Sequence, residues 1–453
     1  MRLVGHVHRL HRSRPPVRVG GTGAAGIHSA GGCWRMSRTH PDADRTRDPN
    51  PDPGQNPDRQ QGYGLGARVG LLLNHPLSTY YLLLGTTLLL LILGLVMVLS
   101  ASSIESFRVH GSPYTLAQRQ GLFAVLGVIG MFFAARTSIQ FWRGLAWPIL
   151  GAAFVLLVAV LVIGVEVAGQ RNWIEIVGPF RLQPSEFAKL ALVVWGATLL
   201  SRTGREVPTW SALLMPVLPV AAAMMLLVLL EGDFGNTIML AAITVGMLFA
   251  AGAPMRLFAV LAGVGAIGVI LVTLAAPYRM QRFTSWLDPE ADRLGFGWQV
   301  SQGQYALGTG GFWGVGLGAS REKWGSLPEA HTDFIFPVIG EELGLFGTLS
   351  VLMLFAVLAF AIFRLSRNTR DPFVRLASAG VGSWIVVQAV INMGGVLGLL
   401  PVTGVTLPLV SYGGSSLIWT LAALGMLLAF ARAEPDTRRA LRRRSTAQSL
   451  RRR

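Results

Sequence analysis

The chain has one cysteine, Cys33, among 453 residues, which excludes an internal disulfide and a thiolate metal site. Charge is scarce as well: Asp, Glu, Lys and Arg make up 14% of the sequence against 52% hydrophobic residues, with a mean hydropathy of +0.50. That balance argues against a soluble globular protein and for a polytopic helical membrane protein. Acids are missing altogether from residues 1–40, which carry seven Arg. This resembles an organelle transit peptide in charge alone, because Gly, Pro and His spoil any amphipathic helix there. A start at Met36, with residues 1–35 not translated, is the plainer expectation, and residues 37–70, rich in Asp, Arg, Pro and Gln, read as disordered.

The net charge of +16 belongs mostly to the tails: residues 1–70 hold 11 Arg against 5 Asp, and residues 432–453 hold 9 Arg against 2 acids. Basic tails of this kind are solvated and drawn to anionic headgroups, by roughly 1 kcal/mol per Arg near the surface. No folded reader of nucleic acid is visible, so none is expected as a partner, whereas membrane lipids are. The expected organisation is a disordered basic tail over 1–75, a membrane domain over 76–431 and a disordered Arg-rich tail over 432–453.

A bilayer core of about 30 Å needs roughly 20 apolar residues per helix. Stretches that meet this lie near 80–100, 119–136, 144–165, 184–201, 211–230, 234–252, 256–276, 334–363, 376–400 and 408–431. The fold class is therefore all-α and polytopic, with about ten spans and one long connection between the seventh and the eighth. The stretch at 334–363 exceeds a flat crossing and is expected to tilt or to begin outside the hydrocarbon. Arg136, Arg143, Arg202, Arg205, Arg256, Arg364, Arg367, Arg370 and Arg375 fall on one side if the N-terminus is cytoplasmic, which puts both termini inside. Of the 16 acids between the tails, only Glu206 and Asp371 fall on that side.

The long connection, 277–333, is threaded with aromatic residues and glycines, and a loop of that length in a compact fold is functional or disordered. Its stretch GTGGFWGVGLG lacks the Lys-Ser/Thr that ends a nucleotide-binding loop. A second connection, RNWIEIVGPFRLQPSEFAKL, brings Arg171 and Arg181 to the same side and leads into a span with Glu186 and Lys189. Those two can pair across one turn, and a charge inside a span tends to face a protein cavity.

LPEAHTDFIFPVIGEELG, residues 327–344, gathers Glu329, His331, Asp333, Glu341 and Glu342 against an apolar run. Thr332 and Asp333 are both plausible N-caps for the helix that follows, with Pro337 one turn further in. Carboxylates at an apolar entrance also suit a general base for an external hydroxyl, or a divalent cation site formed by Asp333, Glu341 and Glu342. These readings stay open on the residues alone.

Four stretches carry a family resemblance: RNWIEIVGPFRLQPSEFAKLALVVW, EGDFGNTIML, SQGQYALGTGGFWGVGLGASREKWGSLPEAHTDFIFPVIGEELGLFG and GLLPVTGVTLPLVSYGGSS. On them the chain resembles the SEDS family (shape, elongation, division and sporulation), and its cell-division branch in particular, from about residue 80 to 431. The resemblance implies a peptidoglycan glycosyltransferase that polymerises lipid II outside the bacterial cytoplasmic membrane. It also implies a class B penicillin-binding protein and other division proteins as partners at the septum, and Asp333 as the residue on which polymerisation depends. Where many relatives have a Gln, Pro and Asp run, this chain has Glu231, Gly232 and Asp233.

The expected chemistry is inverting transfer, with Asp333 taking the acceptor's proton. Arg171, Arg181, Lys189 and Arg321 are candidates for the leaving diphosphate, or else Mg or Mn supplies the charge; no organic cofactor is expected. Glu186, His331, Ser415 and Ser416 complete the candidate substrate contacts. Ser415 and Ser416 in SYGGSS have no His or Lys placed to activate them, so close helix approach is the better reading. The rival functions are a lipid II flippase, an elongation-type polymerase and a silent scaffold for the transpeptidase. A flippase predicts ionisable residues at many depths, whereas here they gather at one end.

Overall fold

The computed structural model describes residues 77–434 except 168, 178–179, 203–209, 275–276, 289–294 and 326, together with residue 437. The expectations for the two tails and for the Met36 start fall outside these residues. Twelve α-helices form the described chain: α1 (Ser78–His110), α2 (Thr115–Ala134), α3 (Ile139–Ile163), α4 (Pro184–Leu200), α5 (Trp210–Leu230), α6 (Phe234–Ala250), α7 (Met255–Leu274), α8 (Pro277–Leu287), α9 (Phe296–Gly310), α10 (Ile335–Asn368), α11 (Pro372–Val396) and α12 (Gly414–Ala433). Helices α1–α7 and α10–α12 occupy the ten apolar stretches. Six of them (α1, α2, α3, α10, α11 and α12) are long and apolar enough to cross a membrane, and Val217–Leu230, Phe234–Ala250 and Met255–Leu271 are shorter apolar helices.

Helix α4 is the exception that organises the rest. It has 17 residues, and nearly every one is buried, including Glu186 and Lys189. A helix covered on all sides needs no apolar stripe, so its two charges are tolerated where each has the other. Around it, α3 and α11 pack on α4, α11 also lies against α6 and α10, α10 against α1, and α12 against α2. Small residues set these distances, as expected where lipid supplies no hydrophobic drive. A Cβ on Gly425 of α12 would stand 2.5 Å from the Met131 carbonyl oxygen of α2.

Two features were not expected. The connection between α3 and α4 is a three-stranded antiparallel sheet, β1 (Val165–Val167), β2 (Gln170–Val177) and β3 (Phe180–Leu182), in that order. Its register pairs Val165 with Trp173 and Glu175 with Arg181. The β-branched and aromatic run NWIEIV, followed by Gly178 and Pro179, is the sequence signal for it. The second feature is a break in α10 at Gly344, with φ 66° and ψ −162°, so the long apolar stretch is two helical segments in series.

Gly344 breaks the helix because another backbone is docked there. The segment 311–316 runs against it: Val315 N–H donates to the Glu341 carbonyl, Gly316 N–H to the Glu342 carbonyl, and Leu345 N–H to the Gly311 carbonyl. A Cβ on Gly314 would sit 2.2 Å from the Glu342 oxygen, and one on Gly344 would sit 2.4 Å from the Gly314 nitrogen. The glycines of GTGGFWGVGLG serve backbone-to-backbone approach, and the long connection is thereby fastened to α10.

Candidate functional site

The helix that follows Asp333 is capped by Phe334, without a side-chain bond. Asp333 is therefore not the N-cap that its position suggests, and Thr332 is committed to Glu329, donating to its Oε2 at 2.6 Å. Pro337 falls in the first turn of α10, where a missing N–H costs nothing. The 329–334 turn is tight: Thr332 and Phe334 N–H both donate to the Glu329 carbonyl, and Glu329 has φ 53°, uncommon for a residue with a Cβ.

Two polar residues of α11, one turn apart, hold the wall opposite. Asn392 Nδ2 donates to the carbonyl of Asp333 and to that of Val405, each at 2.8 Å. Gln388 donates to the Thr406 carbonyl at 2.9 Å and accepts from Lys189 Nζ at 3.4 Å and Trp384 Nε1 at 2.7 Å. The segment 402–406 is thus pinned across a narrow cleft from Asp333. Gly404, with φ 76°, forms its nearest point: a Cβ there would lie 3.5 Å from Asp333 Oδ2 and 3.7 Å from Arg282 Nη1. Asp333 and Arg282, which α8 carries, flank the same bare stretch of backbone.

Electrostatics agree with that placement. Asp333 is half-buried, and burial pushes its carboxyl up to about 7; Glu329 adds to the rise, the Arg282 guanidinium pulls it back and Asp233 raises it further. Burial lowers His331 below the usual histidine range, against the pull of Glu329 and Glu105. His331 also rests on Tyr412, with ring centroids 5.5 Å apart, and its carbonyl accepts from Tyr412 N–H at 2.9 Å.

Asp233 caps α6, its Oδ1 accepting from Asn236 N–H at 2.9 Å. Its Oδ2 accepts from Gln183 Nε2 at 2.9 Å and Asn236 Nδ2 at 2.8 Å, with Ser185 Oγ at 3.3 Å. Glu231, two residues away, is buried with neither carboxylate oxygen bonded. Burial, with Asp233 adding, pushes it up to about 9. The neutral acid so produced has nearly the shape of a Gln side chain.

The other expected contacts have partners other than Asp333. Lys189 and Glu186 form a buried pair at 2.8 Å, with side-chain exposures of 0% and 5%. Arg181 pairs with Glu175 at 3.0 Å on the sheet, both about half exposed, an arrangement worth little. Arg171 is exposed on β2 and gives its backbone N–H to the Glu231 carbonyl at 3.1 Å. Arg321 is exposed, and its backbone N–H donates to Glu341 Oε1 at 2.8 Å. Ser415 Oγ accepts from Gln183 N–H at 3.2 Å and Ser416 Oγ donates to the Gly413 carbonyl at 3.1 Å, while a Cβ on Gly414 would stand 2.4 Å from the Phe123 ring. SYGGSS is a helix junction with bonded hydroxyls.

Glu341 and Glu342 correct the expectation of a shared metal site. Glu341 accepts from Ser320 Oγ and Arg321 N–H. Glu342 pairs with Lys323 Nζ at 2.9 Å and accepts from Ser100 Oγ at 2.7 Å. Both carboxylates are spent on fastening the segment 318–323 to α10 and α1, and a metal would have to displace those donors. Among the described residues no group of three or more His, Cys, Asp or Glu could hold a metal ion. With these donors in place, Asp333, Glu341 and Glu342 do not fit a shared cation site.

Sequence reasoning missed Arg282, Gln388, Asn392 and Gly404. Gln388 and Asn392 carry a usable signal, two amides four residues apart in an otherwise apolar span. Arg282 lies in a short amphipathic segment after the seventh apolar stretch, and nothing local marks it out from Arg321.

Residues 80–435 match the sequence model of the FtsW, RodA and SpoVE family, described as cell cycle protein. A probable peptidoglycan glycosyltransferase FtsW of Mycobacterium tuberculosis is 39% identical over 415 residues, covering 90% of this chain and 79% of that one. Stage V sporulation protein E of Bacillus subtilis is 42% identical over 349 residues, 77% of this chain and 95% of that one. Among solved structures, a chain of a peptidoglycan synthase complex that coordinates polymerization and crosslinking aligns with a TM-score of 0.63 at 33% identity, covering 77% of this chain and 96% of that one. The rod shape determining protein RodA of Thermus thermophilus aligns with a TM-score of 0.58 at 30% identity, covering 78% and 96%.

Proposed function

We propose a mechanism on the premise that the chain belongs to the FtsW, RodA and SpoVE family of cell cycle proteins, and within it to the FtsW division type. It is a multi-pass inner-membrane peptidoglycan glycosyltransferase. Its substrate is lipid II, its termini are cytoplasmic, and the end of the bundle bearing Asp333, Asp233 and the 277–333 connection faces outward. It works at the septum with a class B penicillin-binding protein, and other division proteins assemble with the pair. Membrane lipids surround it.

The reaction joins two lipid-linked sugars. The 4-hydroxyl oxygen of the acceptor attacks the anomeric carbon of the donor, a new C–O bond forms with inversion, and the bond to the polyprenyl diphosphate breaks. The hydroxyl proton passes to Asp333, and the electron pair leaves on the diphosphate. A carboxyl raised to about 7 suits this step, because a base works best when its pKa lies near the operating pH. Arg282 faces the same cleft and supplies positive charge to the leaving group in place of Arg171, Arg181, Lys189 and Arg321. The observation that supports this reading best is the juxtaposition of Asp333 and Arg282 across Gly404.

Arg282→Gln is expected to lower kcat by about 10² to 10³, the usual cost of removing one group aimed at developing negative charge, with Arg282→Lys recovering part of it. Steady-state kinetics on labelled lipid II measure both. The function itself is tested by incubating the purified protein and its cognate penicillin-binding protein with labelled lipid II and sizing the products. Long glycan strands are expected. Absence of polymer, in a preparation that carries lipid II across liposome membranes, would replace the polymerase with a transporter.

A further inference from the structure

A second concave feature lies away from the Asp333 cleft. It is a groove of about 880 Å³ between the second half of α1, the α1–α2 turn and the segment 317–324. Its wall is apolar: Val96, Leu99, Phe107, Leu317 and Trp324 line it, and all are exposed. Ser100, Ser103, Arg108, Tyr114 and Lys323 carry the polar side-chain groups on it.

The polar groups are not equivalent. Lys323 Nζ is consumed by Glu342 at 2.9 Å, the Gly318 carbonyl at 2.7 Å and Ser100 Oγ at 3.2 Å, which fixes the segment 318–323 as one wall of the groove. Arg108, two residues before the end of α1, gives one N–H to the Trp324 carbonyl at 2.6 Å and is otherwise exposed. Gly325, with φ 124°, leaves room for it: a Cβ there would lie 3.1 Å from Arg108 Nη1. The groove therefore runs along a membrane-crossing helix and ends at a guanidinium, which complements the shape and charge of a long hydrocarbon chain carrying a phosphate.

The groove also adjoins the candidate site. Its wall 317–324 leads into the turn that bears the site: Leu327 N–H donates to the Glu322 carbonyl at 2.9 Å, and Glu329 then opens the 329–334 turn that holds His331 and Asp333. We infer that this groove holds the polyprenyl phosphate end of a reacting lipid, with the chain along Val96, Leu99 and Phe107 and the phosphate at Arg108. The inference rests on the glycosyltransferase reading for the identity of the lipid. The continuity of this wall with the turn holding Asp333 is the reason to assign the groove to the polyprenyl carrier and not to a bulk phospholipid.

The test uses the full chain in liposomes and a polyprenyl phosphate bearing a diazirine near its phosphate, with labelled peptides mapped by mass spectrometry. Label is expected within 96–114 and 317–324, displaced by unlabelled polyprenyl phosphate and not by an equal amount of phosphatidylglycerol. Ser103→Trp, which fills the groove, should cut labelling about tenfold and raise KM for lipid II with kcat little changed. Arg108→Gln, an exposed change that leaves the core alone, should cut labelling comparably, and it stands as the test if the Trp variant melts early. Label mapping elsewhere, label indifferent to Arg108→Gln, or equal displacement by phosphatidylglycerol would overturn the assignment. If the groove is labelled as expected while the protein makes no glycan, the enzymatic reading fails and the lipid site stands.

Discussion

Asp333→Asn is expected to reduce lipid II polymerisation by about 10² to 10⁴, the contribution typical of a positioned general base, while leaving the thermal unfolding of the protein unchanged. The amide cannot accept the acceptor's proton, yet it is close in size to the carboxyl. The bond that holds this residue to α11 runs from Asn392 to the backbone carbonyl of Asp333, so the substitution does not touch it. Asp333→Glu separates charge from position: it keeps the carboxylate but advances it by a methylene. A misplacement of about 1 Å costs on the order of 10² in rate, and a large loss in the Glu variant would show that geometry at this point is constrained. Product sizing on gels, with unfolding followed by tryptophan fluorescence, measures both effects in one preparation.

Lys189→Ala is expected to fail in a different way, by unfolding. Lys189 and Glu186 pair at 2.8 Å inside α4, and the Lys side chain is 0% exposed. Removing one partner leaves a buried carboxylate without its counter-charge, a loss of about 3–5 kcal/mol, whereas replacing both with apolar residues of similar volume is often neutral. Lys189→Ala should therefore give little monodisperse protein, and Glu186→Leu combined with Lys189→Met should restore it. The double variant should also polymerise lipid II within about tenfold of wild type, because a fully buried ammonium touches no substrate and its effect on the cleft passes through Gln388 to the Thr406 carbonyl. A folded double variant with no activity would return Lys189 to the substrate contacts.

The two cases mark how much the sequence discloses. Apolar length is a local property, so the ten helical stretches could be read directly, and so could the side-to-side imbalance of acids that drew attention to Asp333. The sheet over 165–182 was legible in principle from its β-branched and aromatic run, but it lies between two long apolar runs that dominate any window. Glu341 and Glu342 looked available because they share a helix with the end at which Asp333 stands. What engages them is Ser100, Ser320 and Lys323, a set that meets them only after segment 311–316 docks on the break at Gly344. Arg282 is invisible for the same reason. Its nearness to Asp333 is set by where α8 lies over Gly404, and no spacing within the chain encodes that.

The proposed mechanism makes Asp333 the base, with Arg282 tuning it across the cleft. Its most direct test is the pH dependence of kcat/KM for lipid II polymerisation, in wild type and in Arg282→Gln. Burial raises the Asp333 carboxyl to about 7 and Arg282 opposes that rise, so below that pH the base is protonated. The wild-type rate should fall about tenfold per pH unit on the acid side of a midpoint near 7. Removing the guanidinium takes away the pull toward the ionised form while Glu329 and Asp233 remain, so the midpoint should move to higher pH in the variant. An acid limb that stays in place when Arg282 is replaced, or a wild-type rate flat from pH 5 to 8, would contradict the account.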